Sequence, residues 1–173
     1  MDILNLELDN VKLFIPQLNK DYRGSFVEKL NINNLSNFEV KQINQSISKK
    51  NVFRGFHFQK NPKEQAKYVW VESGAILDFV ININPKSSQF KKYIIVELND
   101  SNNHHLFIPK GFAHGFISLQ NNTKVCYAVD SFFDPEYDSG VHFLDESIAI
   151  DWPIDTNCLI VSDKDKNLPK LAI

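Results

Sequence analysis

The sequence predicts an all-β fold, a sandwich or jelly-roll barrel with a few short helices, and three observations carry the prediction. Short runs rich in Val, Ile, Phe and Tyr recur along the chain, turn-forming residues separate them, and only two brief segments suit a helix. The first run, 11–15, stops at Pro16, whose nitrogen cannot donate to a ladder. A second covers 25–30, and a short helix is expected around 33–37. Runs 40–46 and 52–59 follow, the latter ending before Asn61-Pro62, and then 66–72 and 75–84, closed by Asn84-Pro85. Run 93–98 ends at Asn99-Asp100, 105–108 ends at Pro109-Lys110-Gly111, and 115–119 and 124–132 flank Asn121-Asn122. The last element expected is a short helix after Ser162.

With 173 residues, 43% apolar and 23% charged, the chain suits one domain, 1–173, with a substantial core, and is not that of a disordered protein. No internal repeat, low-complexity tract or Pro/Gly/Ser linker marks a boundary. A formal net charge of −2 gives no general pull toward a nucleic-acid polymer or an anionic membrane, so any anion must be recognised locally. No apolar run approaches the ~18 residues of a membrane span. The start, Met1-Asp2-Ile3-Leu4-Asn5, carries an acid where a secretory signal would be basic. Cys126 and Cys158 lack the spacing of a disulfide framework or a zinc knuckle. A cytoplasmic protein is expected.

Of the 19 Lys and Arg residues only two are arginines, Arg23 and Arg54, each followed by glycine. In so lysine-rich a chain they mark positions where an ammonium will not serve, as where a phosphate or carboxylate is gripped by two parallel N–H groups. Alternation along the strands shows which polar groups face inward. Lys67 shares a face with Val69 and Val71, Tyr127 with Val125 and Val129, and His57 with Phe53 and Gly55. Three titratable groups aimed at an apolar interior cost free energy unless partnered, which is the pattern of a pocket. Strict alternation puts Arg54 on the face opposite His57, and a bulge at Gly55 would bring the two together.

Barrels of this kind often ligate a metal through a His-x-His pair, a carboxylate and a later histidine. Here the pair reads His57-Phe58-Gln59, the neighbours His104-His105 face opposite ways, and His114 and His142 stand alone, so no metal or other cofactor is expected. An imidazole, an ammonium and a phenol instead match proton abstraction next to a carbonyl. His57 is the candidate base, Lys67 the holder of the enolate oxygen and Tyr127 the acid that returns a proton from the other face. The bland alternatives are a lysine stem lying along apolar neighbours and a core ring with a wet hydroxyl. A histidine base also needs an orienting carboxylate, and spacing does not rank Asp78 against Asp165.

Seven segments carry a family resemblance: Asp21-Tyr22-Arg23-Gly24-Ser25-Phe26-Val27-Glu28, Gln42-Ile43-Asn44-Gln45-Ser46, Arg54-Gly55-Phe56-His57-Phe58-Gln59, Gln65-Ala66-Lys67, Ile108-Pro109-Lys110-Gly111-Phe112-Ala113-His114-Gly115-Phe116, Asp151-Trp152-Pro153 and Ser162-Asp163-Lys164-Asp165. Together and in this order they resemble the dTDP-4-dehydrorhamnose 3,5-epimerase family over nearly the whole chain. The resemblance implies a metal-free, cupin-type jelly roll acting as a homodimer, its N-terminal strands crossing to the partner. The implied reaction inverts C3 and C5 of dTDP-4-keto-6-deoxy-D-glucose to give dTDP-4-keto-L-rhamnose, a step toward cell-surface polysaccharide. By matching position His57 is the implied proton acceptor, Asp165 its partner, Lys67 the enolate stabiliser and Tyr127 the proton donor. Arg23, Phe26, Glu28, Gln42, Asn44, Arg54, His114 and Lys164 match substrate-binding positions.

The chain also departs from the family pattern. Phe133 stands where a tyrosine usually stacks on thymine, Asp138 where a glutamate is usual, and Asn82 and Asn84 where charges are common. A phenyl ring still stacks, without the hydroxyl contact. The alternatives are a C3-only or C5-only epimerase on a related dTDP-, CDP- or GDP-linked 4-keto-deoxysugar and, in another class, a non-catalytic or metal-binding sugar-binding cupin.

Overall fold

The computed structural model describes residues 1–171. One sheet runs in the order β1 (Asp2–Asn5), β2 (Lys12–Ile15), β10 (His105–Ile108), β7 (Lys67–Ser73), β12 (Thr123–Val129) and β5 (Gln42–Ser48). The other runs β13 (Asp138–Gly140), β6 (Val52–Gln59), β11 (Phe112–Ser118), β8 (Ala75–Asn82) and β9 (Tyr93–Asn99), with β14 (Ile160–Val161) parallel to the start of β6. A separate hairpin, β3 (Leu18–Asp21) and β4 (Gly24–Val27), pairs with neither sheet.

The inward-facing residues of the two sheets form the core between them, with Val69, Val71 and Val125 from one meeting Ile76, Val80 and Phe116 from the other. Two further clusters cover the outer faces. The C-terminal segment lays Val141, Ile148 and Trp152 over Phe53, Phe56 and Phe79, while Leu35 and Phe38 cover Tyr68 and Trp70. Each sheet therefore buries apolar side chains on both faces, which is why β7 and β8 read as nearly continuous apolar runs.

The all-β architecture stands as expected, and the differences lie at its ends. The strands β1 and β3 lie outside the expected runs, and the run expected at 25–30 starts at Gly24 and stops at Val27, where the hairpin ends. The strand expected to reach 132 stops at Val129, because residues 131–134 leave the ladder for side-chain partners. Three-residue β13 and two-residue β14 are too short to show alternation. The helix expected near 33–37 is a single 3-10 turn, Ile32–Asn34, capped by Asn31. The one after Ser162 is present as α1 (Asp163–Lys166), with the Ser162 hydroxyl accepting from the Asp165 N–H.

The bulge at Gly55 is present. His57 pairs with His114 and Arg54 with Phe116, so Gly55 and Phe56 together oppose Gly115. Gly55 sits at φ +138°, and a Cβ there would lie 2.5 Å from the Gly115 Cα, so only glycine fits. The extra residue resets the alternation: Phe53 and Phe56 join the outer cluster, while Arg54 and His57 both line the cavity between the sheets. The expected grouping of His57 with Phe53 on one face is thereby corrected.

Candidate active site

At one end of the sandwich the core gives way to a cleft with two lobes. The inner lobe, about 490 Å³, is walled by Arg54, His57, Lys67, His114, Phe116 and Tyr127 among others. The outer, about 300 Å³, is walled by Gln42, Asn44, Gln59, Gln65, Phe133 and Asp138 among others. His57, Lys67, Tyr127 and Lys164 belong to both walls and mark the junction. One sheet supplies Lys67 and Tyr127 from β7 and β12, the other supplies His57 and His114 from β6 and β11, and α1 supplies Lys164 and Asp165.

The His57 Nε2 lies 2.8 Å from Asp165 Oδ1, and the Gly55 N–H donates to Asp165 Oδ2 at 3.3 Å. Burial alone would raise the Asp165 pKa, yet the His57, Gly55 and Ser162 contacts outweigh it and hold the carboxyl below the usual carboxylate range. An ionised Asp165 fixes the imidazole with Nε2–H donating, which leaves Nδ1 as the lone-pair nitrogen. Asp78, the other candidate carboxylate, serves a different histidine: its Oδ2 lies 2.8 Å from His114 Nε2, and both groups are buried. Burial raises the Asp78 pKa and lowers that of His114.

Lys67 is 8% exposed, and its Nζ donates to the His57 carbonyl at 3.2 Å. Burial lowers its pKa to about 8, against the pull of the Asp78 and Asp138 carboxylates. The Tyr127 phenol is pushed up by burial, opposed by the charge of Arg54. The Arg54 Nε donates to Ser48 Oγ at 3.1 Å, and its Nη2 reaches the Ile47 carbonyl at 3.4 Å. In the outer lobe Gln42 donates to Asn44 at 2.7 Å, Lys164 pairs with Asp138, and Phe133 stands 54% exposed.

Three expected site residues are not in this cleft. Arg23 and Phe26 sit on the β3–β4 hairpin, which forms a surface of its own, and Glu28 follows it. Arg23 pairs with Asp21 at 2.6 Å, its side chain 75% exposed. Sequence reasoning missed Ser48, which holds Arg54, and gave Gln59 no role beyond its place in a family segment and at a position without a metal-ligating histidine. Among the described residues no three of His, Cys, Asp and Glu converge as a metal-binding group. The Gln59 side chain is engaged instead with the loop at 132–134.

The family model described as dTDP-4-dehydrorhamnose 3,5-epimerase matches residues 5–172. The dTDP-4-dehydrorhamnose 3,5-epimerase of Escherichia coli K12 is 39% identical over 97% of this chain and 93% of its own. The structure of the Bacillus anthracis enzyme of that name, with TDP and PPi bound, superposes with TM-score 0.93 at 39% identity, covering 98% of this chain and 99% of that one. A dTDP-6-deoxy-D-glucose-3,5-epimerase from Legionella pneumophila, solved in complex with dTDP-4-keto-L-rhamnose, gives TM-score 0.93 at 32% identity, covering 98% of this chain and 92% of that one. With its fold, its motifs and nearly its whole length in agreement, the chain belongs to the dTDP-4-dehydrorhamnose 3,5-epimerase family.

Proposed function

We infer that the protein inverts C3 and C5 of dTDP-4-keto-6-deoxy-D-glucose, yielding dTDP-4-keto-L-rhamnose. The observation that carries this reading is the junction of the two lobes, where a carboxylate-oriented imidazole from one sheet meets a phenol and a buried ammonium from the other. Each inversion takes one proton off a carbon next to the 4-keto group and returns one to the opposite face. His57 Nδ1 accepts the proton, and the C–H electron pair moves to form the enolate, whose oxygen the Lys67 ammonium stabilises. The Tyr127 hydroxyl, which its raised pKa keeps protonated near neutrality, then donates to the other face. Solvent removes the proton from His57 and restores the one lost by Tyr127 before the second carbon reacts.

The outer lobe takes the nucleotide, with Phe133 stacking on the base and Gln42, Asn44, Asp138 and Lys164 around it. Arg54 and His114 act at the sugar and diphosphate. Arg23, Phe26 and Glu28 then serve a second copy. The hairpin stands clear of its own sheets with Tyr22 97% and Phe26 69% exposed, and β5 leaves an open edge carrying exposed Ile43 and Ile47. A homodimer in which each hairpin crosses to the partner covers these surfaces and completes both clefts. The reading includes a cytoplasmic location, which suits the two free cysteines, and among the described residues no helix is long and apolar enough to cross a membrane.

A product assay tests the reading. Incubated with dTDP-4-keto-6-deoxyglucose, the protein should give an NMR spectrum of the L-configured product, inverted at both carbons. Inversion at C3 alone would make it a 3-epimerase, and an unchanged substrate would refute the epimerase reading.

A further inference from the structure

The segment after β12 presents Phe133, and both of its phenylalanines are more than half exposed. Phe132 is 64% and Phe133 54% exposed. Glutamine side chains hold it by its backbone. Gln65 Nε2 donates to the Ser131 carbonyl at 2.7 Å, and Gln59 Nε2 donates to the Phe132 carbonyl at 3.2 Å. The Phe133 N–H donates to Gln42 Oε1 at 3.3 Å, and the Asp134 N–H to Gln59 Oε1 at 2.7 Å. Four consecutive residues are thus each fixed by an amide side chain, and the three glutamines come from β5, from β6 and from the loop before β7. Gln59 is the centre of the set. It is 4% exposed and also donates to the Lys63 carbonyl at 2.6 Å, so both ends of its amide are satisfied.

We propose that Gln59 and Gln65 are positioning residues for nucleotide recognition: with Gln42 they form an amide clamp that holds the 131–134 backbone, and with it the Phe133 ring, in the geometry that stacks on a nucleobase. The proposal rests on the reading of the outer lobe as the nucleotide site. Its physical basis is preorganisation. A loop fixed before the ligand arrives does not lose its freedom on binding, so the clamp acts on affinity and not on proton transfer. It also extends past Phe133. The Asp134 carbonyl accepts from the Tyr137 and Asp138 N–H groups, so the clamp sets the turn that delivers Asp138 to Lys164. One strand, β6, therefore carries His57 for the chemistry and, two residues on, the anchor of the recognition loop.

Gln59→Met and Gln65→Met are close in size and remove the amide groups without adding charge to the outer lobe, which both glutamines also line. Calorimetric titration with dTDP should show each variant binding about tenfold or more weakly than the wild type, as loss of a hydrogen bond with an acceptor left unpaired implies. KM for the dTDP-sugar should rise with it, while kcat stays within about twofold. In the free protein, hydrogen exchange of the Phe133 and Asp134 amides should quicken in the Gln59 variant. Wild-type dTDP affinity in both variants overturns the clamp. So does a lowered Tm with affinity and amide exchange unchanged, which would make the glutamines structural only. Failure of the wild type to bind dTDP removes the nucleotide reading itself, and the proposal with it.

Discussion

The charge on Lys67 gives the sharpest quantitative prediction. Burial carries its pKa from 10.5 to about 8, a displacement worth about 3 kcal/mol. If the ammonium holds the enolate oxygen, kcat/KM, which reports the free enzyme, should fall about tenfold per pH unit above pH ~8. Tyr127, pushed above the usual 10 of a phenol, leaves that window to Lys67. Unfolding does not mimic the loss, as the sign of the linkage shows. Between the folded pKa and the higher unfolded one, the folded state has shed a proton that the unfolded state keeps, so this group makes the protein more stable as pH rises through the window. Lys67→Met should lower kcat by roughly 10²–10³, the worth of one preorganised donor. Lys67→Arg keeps its charge throughout, so whatever rate survives should lose the alkaline limb. The assay is turnover at substrate well below KM, followed by proton NMR from pH 6.5 to 10, with circular dichroism at each pH. A wild-type kcat/KM level from pH 8 to 10, or an alkaline limb that persists in Lys67→Arg, would refute the assignment.

Other substitutions probe the remaining parts. Asp165→Asn keeps the shape of the dyad but not its charge, so kcat should fall roughly 10²–10⁴-fold with a smaller change in KM, and a near-normal kcat would remove Asp165 from the dyad. Gly55→Ala pushes a methyl to 2.5 Å from the Gly115 Cα at a φ of +138° and should cost about 3 kcal/mol or more in urea unfolding; an unchanged midpoint would mean that β6 and β11 separate easily. Arg54→Lys keeps the net charge but cannot reach both Ser48 and Ile47, so KM should rise about tenfold or more while kcat changes less. Arg23→Ala and His57→Ala should each be inactive alone and regain activity when refolded together, since one mixed dimer site then has both residues; no recovery would contradict hairpin exchange.

Much of this was legible in the sequence, and what was not has physical causes. Central strands such as β6 and β8 showed themselves because their composition and the turns beside them agree. The hairpin β3–β4 and the pair β13 and β14 are exposed or very short, so no apolar alternation records them. Within the site, Gly55 correctly signalled the bulge that brings Arg54 and His57 together, because glycine in a strand marks a place where no Cβ fits. Asp78 and Asp165 could not be ranked because the contacts that separate them span 36 and 108 residues of chain, a relation spacing does not encode. The roles of Gln59 and Gln65 were hidden for a similar reason. An amide that braces a loop has no pattern of its own, and only the orphaned backbone of residues 131–134 reveals what it does.

The central claim is that His57 removes protons on both sides of the 4-keto group. It is tested most directly by incubating dTDP-4-keto-6-deoxyglucose with wild type and His57→Ala in deuterium oxide and reading C3 and C5 by NMR. The account predicts deuterium at both carbons with the wild type and at neither with His57→Ala, whose fold should be intact. Exchange retained in His57→Ala, or absent from both carbons with the wild type, would contradict it.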